Sequence, residues 1–175
     1  MSHEADLFSF SEKPGVEYMK SDYFSVEGPL FNRGEECEKI LSRLPEWFGS
    51  GEALAGYRAE IDTLPTFIIR RQDQNCGFIS IKPHFKESVE LYVLGLLPEF
   101  HRHGIGRSAI ESVTEYCRAH GYEYMQVKTV SSSSNWPHYE ETRKFYLSLG
   151  FKPLEEYPIF WGQGNPCLQM IKKIT

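Results

Sequence analysis

The chain has 175 residues, about one domain's worth, and its 41% hydrophobic and 25% charged content is that of an ordinary globular protein. A formal net charge of -5 argues against nucleic-acid binding through a broad basic face. Cys37, Cys76, Cys117 and Cys167 lie far apart and form no C-x-x-C pair, so the sequence carries neither a zinc nor a redox signature. The polar start, Met1 to Asp6, lacks a signal-peptide pattern, and no apolar run approaches the roughly 18 to 20 residues of a membrane span. The expectation is a single cytoplasmic domain over residues 1–175, with residues 1–31 as an N-terminal extension and with neither nucleic acid nor membrane as partner.

In chain order, Leu7 to Ser11 alternates like a short strand, Lys13-Pro14-Gly15 signals a turn, Val16 to Phe24 holds a second strand, and Gly28-Pro29 marks a break. Asn32 is placed to cap a helix running to about Leu44, with Glu35 as its capping-box partner. Pro45 interrupts that helix, Trp47-Phe48-Gly49 forms an aromatic junction, and a second helix through Ile61 presents Leu54, Tyr57 and Ile61 on one stripe. Thr66 to Arg71 and Cys76 to Lys82 read as strands joined by a polar turn, an antiparallel hairpin, with another turn over Pro83 to Ser88.

The stretch from Glu90 to Ser108 concentrates the chemistry. It reads as an apolar strand, a stop at Pro98, a tight loop around Gly104 and Gly106, and the start of a helix. Leu91, Val93, Gly95 and Leu97 fall on one strand face and Tyr92, Leu94 and Leu96 on the other. Both faces are apolar, which predicts a central strand covered on both sides. The glycines leave the first N–H groups of the helix free, and these, with the helix dipole, favour an anion. Arg102, His103 and Arg107 add donors at the same spot. The helix carries Ile105, Ala109, Val113 and Cys117 in a stripe and stops at Gly121. Tyr124 to Val130 is the next strand, so strand, helix and strand form a β-α-β unit with its strands parallel. A helix from Pro137 to Leu149, a strand start at Phe151 and a closing strand from Cys167 to Ile174 complete the chain. The expected fold class is mixed α/β: a mostly antiparallel sheet with one parallel β-α-β crossover, flanked by helices.

As a bare pattern, Gly104-Ile105-Gly106 lacks the Gly-Lys-Ser/Thr ending of a P-loop and the third glycine of a dinucleotide fingerprint. In context, His101-Arg102-His103-Gly104-Ile105-Gly106 resembles the Q/R-x-x-G-x-G/A motif of the GNAT superfamily of acyl-CoA-dependent N-acyltransferases. Phe145-Tyr146-Leu147-Ser148-Leu149-Gly150-Phe151 is similar to that family's tyrosine helix ending in Gly-Phe. The resemblance covers about residues 32–174. It implies a sheet splayed between the central strand and the next one, with acetyl-CoA as co-substrate lying in the split and no metal. The pyrophosphate then sits on Arg102, His103, Gly104, Ile105, Gly106, Arg107 and Ser108, and the pantetheine arm pairs with Leu94, Gly95 and Leu96. Gly95 fits independently, because a glycine inside a strand marks a bulge or a close backbone approach. His101 stands where the family has Gln or Arg, and Tyr139 stands where many relatives place an asparagine that touches the cofactor.

Transfer to an amine requires removal of an ammonium proton, a donor for the tetrahedral oxyanion and a proton for the leaving thiolate. The resemblance puts Tyr146 forward as the acid and Glu90 as the base, with a strand N–H freed by a bulge near Leu96 as the oxyanion donor. The competing readings are a core tyrosine and a solvated strand-end glutamate. His84 and His138 are further base candidates that read as surface residues, and Lys128 and Arg143 read as solvated charge. Trp136, Tyr157, Phe160 and Trp161 flank loops and are candidates to wall an acceptor pocket. The function so implied is acetyl transfer from acetyl-CoA to the amine of a small molecule or peptide by direct attack. A non-catalytic CoA-binding module is the alternative, and a homodimer is left open.

Overall fold

The computed structural model describes residues 16–20 and 23–175, with side chains from Tyr23 onward. The expected strand at Leu7 to Ser11 and turn at Lys13 to Gly15 lie outside the described residues. Eight strands form one sheet in the order β1-β2-β3-β4-β5-β6-β8-β7. They are β1 (Val16–Lys20), β2 (Ser25–Leu30), β3 (Thr66–Arg71), β4 (Gln74–Phe85), β5 (Ser88–Leu96), β6 (Tyr124–Val130), β7 (Lys152–Tyr157) and β8 (Cys167–Lys173). Among the described strands only β5 and β6 run parallel, joined by helix α4 (Ile105–Ala119), as the β-α-β reading expects. Helices α1 (Gly34–Leu41), α2 (Pro45–Phe48), α3 (Glu52–Ile61) and α5 (Pro137–Ser148) complete the layers. Among the described residues, no helix is long and apolar enough to cross a membrane.

The core follows the sequence periodicities. Ile105, Ala109, Val113 and Cys117 of α4 are all buried, as are Cys37, Ile40 and Leu41 of α1 and Leu54 and Ile61 of α3. All four cysteines are buried and unpaired. Burial pushes the Cys117 thiol up to about 12 and those of Cys76 and Cys167 up to about 11, and raises Cys37 further still.

Several local readings are corrected. The Gly28-Pro29 dipeptide does not break the chain; β2 runs through it. Asn32 does not cap α1. It adopts a left-handed backbone (φ 55°), and the Gly34 N–H is held instead by Asp62 Oδ1 at 2.7 Å, from the residue after α3. The cap is therefore tertiary, and no local spacing encodes it. Gly34 is demanded by the same contact, since a Cβ there stands 2.3 Å from the Arg58 carbonyl oxygen. Strand β4 extends three residues past Lys82, taking in Pro83 where a turn was expected, with its register shifting between Pro83 and Phe85.

The central strand β5 is covered on one face only. Leu91, Val93, Gly95 and Leu97 are buried, while Tyr92, Leu94 and Leu96 are half-exposed. The apolar character of the second face comes from lining a cleft, not from a covering layer.

Candidate active site

The cleft begins where two strands part. Pairing of β5 with β6 runs from Ser88 opposite Tyr124 to Leu91 opposite Val127 and goes no further. At that point β5 carries a bulge. Against β4, Val93 pairs with Ser80 and Leu91 with Ile81, so Tyr92 is the extra residue. A bulge bends its strand and increases the local twist, which turns the far half of β5 away from β6. The bulge expected near Gly95 or Leu96 thus lies at Tyr92, and pairing through Gly95 is regular. Gly95 answers a different demand: a Cβ there meets Phe78 at 3.0 Å and Ile40 at 3.2 Å, so its absence lets α1 pack closely on the strand.

The resulting opening is a cleft of about 1220 Å³. At one end stands the start of α4. Gly104 is left-handed (φ 78°), with nothing within 4 Å of the position a Cβ takes. Its carbonyl accepts the first helical bond, from Ser108 N–H at 3.0 Å. Among the described residues, no acceptor is set against the N–H groups of Gly104, Ile105, Gly106 or Arg107. Four aimed donors at a helix N-terminus, facing open space, form a cradle that suits a phosphate. Gly106 packs tightly, 3.4 Å from Phe145 of α5 at its virtual Cβ.

Arg102, Gly104, Ile105, Gly106 and Arg107 line the cleft. His103 and Ser108 do not: His103 is exposed with its ring 6.4 Å from that of Tyr23, and Ser108 lies in the second half of the first helical turn. Arg102 is held by Glu141 of α5 at 3.0 Å, and Arg107 donates to Ser148 Oγ at 2.9 Å. His101 has a defined place too. Its Nε2 stands 2.7 Å from the Leu96 carbonyl oxygen, and a carbonyl only accepts, so Nε2 carries the proton. Leu97 N–H points to Cys76 on β4, so by alternation the backbone groups of Leu96 and Leu94 face the split. Of these, the Leu96 carbonyl is taken by His101.

Tyr146 lines the middle of the cleft at 7% exposure, with its ring packed on those of Phe145 and Phe151. Among the described residues, no hydrogen-bond partner contributes to the electrostatics of its hydroxyl. Burial, and then Tyr139, raises its pKa well above the ordinary value of 10. Tyr139 is otherwise engaged. Its hydroxyl donates to the Trp47 carbonyl at 2.8 Å, tying α5 to α2, and burial pushes its pKa up to about 12.

Beyond Tyr146 lies a polar floor that the sequence did not disclose. Glu90, 5% exposed, accepts at one oxygen from His84 Nε2 at 2.6 Å and from Lys128 Nζ at 2.7 Å. The reading of Glu90 as a solvated strand-end residue is therefore wrong, and so are those of His84 and Lys128 as surface groups: all three line the cleft. Arg143 is not solvated charge either, since it donates to the Val130 carbonyl at 2.8 Å. His138 also lines the cleft, its Nε2 buried without a partner, as is the hydroxyl of Thr129 on β6. The hairpin spacing between His84 and Glu90 was the one available signal for this floor. Phe160 and Trp161 wall the far end, whereas Trp136 and Tyr157 stand outside the lining.

A mixed sheet splits beside its parallel crossover, with free helix N–H donors at one end of the resulting cleft and the Tyr146 phenol lining it. The family model for the acetyltransferase (GNAT) domain matches residues 62–153, and the chain belongs to that family. The fold is shared with a GNAT-family protein from Desulfovibrio desulfuricans (16% identity, TM-score 0.74, covering 87% of this chain and 99% of that one). It is shared with a GNAT acetyltransferase from Elizabethkingia anophelis with acetyl-CoA bound (14%, 0.66, 87% and 99%). An aminoglycoside 6'-N-acetyltransferase complexed with coenzyme A is also similar (21%, 0.64, 81% and 91%). No curated protein matches the sequence.

Proposed function

We propose that the protein transfers an acetyl group from acetyl-CoA to a primary amine by direct attack, in the cytoplasm, where unpaired cysteines persist. The observation that carries this reading is the alignment of the free α4 N–H groups and the Tyr146 hydroxyl along one cleft, opened where β5 leaves β6. The residues present fit the co-substrate: the open, left-handed Gly104 admits a pyrophosphate against backbone donors, and the inward-facing groups of Leu94 offer a partner for an amide-bearing arm. The Elizabethkingia anophelis relative with acetyl-CoA bound supports the same choice of donor.

The chemistry is assigned as follows. The acceptor loses its ammonium proton to His84. Glu90 accepts from His84 Nε2–H, which fixes the tautomer and leaves Nδ1 with its lone pair. Glu90 is then a positioning residue rather than the base first expected, because its Oε2 already holds both a lysine and a histidine. The amine nitrogen forms the C–N bond, the C–S bond breaks, Tyr146 gives its proton to the departing sulfur, and the second proton lost by the nitrogen restores the Tyr146 hydroxyl. Its raised pKa keeps the hydroxyl protonated at any working pH, and the same burial makes a desolvated thiolate a stronger base. The sum is ammonium plus thioester giving amide, thiol and one proton.

The test is turnover: protein, acetyl-CoA and an amine panel, with loss of the thioester absorbance followed. Thioester loss dependent on amine supports the reading. Tight CoA binding with no loss across the panel returns the protein to a CoA-binding module. Gly104→Glu, which fills the cradle with a side chain of like charge, abolishes CoA binding in either case.

A further inference from the structure

The acceptor end of the cleft has a chemistry of its own. Phe160 and Trp161 on the loop between β7 and β8 are 53% and 43% exposed, with rings 5.5 Å apart in an edge-to-face pair. Ile159 beside them is exposed as well. Large apolar groups gathered at a cleft mouth commonly mark a ligand surface. The lining carries a second aromatic series: Tyr92 stands 6.3 Å from Tyr57, which stands 5.5 Å from Phe48, with Lys82 Nζ 5.1 Å from the Tyr92 ring. The His84–Glu90–Lys128 floor lines the same cleft, with Lys128 Nζ 5.9 Å from the Phe160 ring.

Carboxylates free to receive a cation are missing from this end. Among the described residues lining the cleft, the acidic ones are Glu90 and Glu141. Glu90 is neutralised by Lys128, and Glu141 sits at the opposite end with Arg102 and Lys144. Glu60 is already held by Lys82 and by the Tyr92 hydroxyl. A polycation entering here has to displace a lysine or leave its own charges unpaired beside Lys82 and Lys128.

We propose that the acceptor is a small monoamine carried on a flat apolar or aromatic body, its ring between the Phe160–Trp161 pair and Tyr92 and its single amine over the His84–Glu90 floor. This rests on the acetyl-transfer reading above. The ring–ring contacts reward a planar body, and the lone ammonium, which the aromatic faces attract on entry, is discharged to His84 before attack. The nitrogen then takes the acetyl group, the C–S bond breaks, and one proton leaves in the net reaction.

The experiment compares tryptamine and phenethylamine with spermidine, kanamycin and an alanine-led tetrapeptide, using the full chain and acetyl-CoA and detecting acetylated amine by mass spectrometry. The expected result is a kcat/KM for tryptamine about tenfold or more above the others. Phe160→Ala and Trp161→Ala, on an exposed loop, should each raise the KM for tryptamine by about three- to tenfold, more than either raises the KM for propylamine. Preference for spermidine, kanamycin or the peptide overturns the acceptor class and leaves acetyl transfer standing. An unchanged tryptamine KM in both variants also overturns it. Binding of CoA with no amine acetylated overturns this proposal and the acetyl-transfer reading together.

Discussion

His84 Nε2 and Glu90 Oε2 meet at 2.6 Å across the β4–β5 hairpin, at the point where β5 still pairs with β6 and one residue pair before it parts. The contact holds the imidazole in one tautomer and leaves its Nδ1 lone pair unused by Glu90. His84→Gln should lower kcat by about 10²-fold, with CoA affinity and thermal midpoint unchanged, read by steady-state kinetics, CoA titration and calorimetry. Glu90→Gln should lower kcat less, because it acts on the base through its partner.

Tyr146 differs from Tyr139 in what its hydroxyl is free to do. Tyr139 donates to Trp47, whereas among the described residues only burial and the neighbouring Tyr139 act on the Tyr146 hydroxyl. Tyr146→Phe removes one oxygen without creating a cavity. It should cut kcat by about 10²-fold while leaving KM for acetyl-CoA and the thermal midpoint nearly unchanged, read by steady-state kinetics and calorimetry.

Gly95 separates packing from binding. A methyl group there meets Phe78 at 3.0 Å and Ile40 at 3.2 Å, so Gly95→Ala should destabilise the fold by about 1–3 kcal/mol through overpacking between α1 and β5. Denaturant titration measures this. Because Gly95 lies on the buried face, CoA affinity of the folded fraction should stay within about threefold, less than one decade or 1.4 kcal/mol.

Burial works against the Glu60 carboxylate, yet the hydrogen bonds from Lys82 and Tyr92 outweigh it and hold its pKa below the ordinary 4.5. A depressed carboxylate contributes stability above its unfolded value and loses it as pH falls through the folded one. The melting temperature should therefore decline as pH drops below about 4.5, and Glu60→Gln should flatten that decline while lowering stability at neutral pH.

The architecture was legible because it rests on local periodicity. The stripe of α4, the strand at Thr66 to Arg71 and the β-α-β spacing all reappear in the structure. The tight glycine loop before α4 was legible for the same reason, since the left-handed turn at Gly104 needs only its own backbone. What escaped depends on partners distant in sequence. Asp62 caps α1 from 28 residues away, Lys128 reaches Glu90 from 38 away, and Tyr139 reaches Trp47 from 92 away. The bulge was misplaced because Gly95 offered a familiar cue, while Tyr92 has no side-chain signature for an extra residue.

The depth of the four cysteines has a practical side. Cys37, Cys76, Cys117 and Cys167 are buried, and each thiol is held protonated by its surroundings. Only the thiolate attacks disulfide reagents, so the native protein should be silent toward them and should consume four equivalents once unfolded. During turnover the sole sulfur that such a reagent can see is the one released from the acyl donor. A colour change then counts catalytic events directly, with no background from the catalyst.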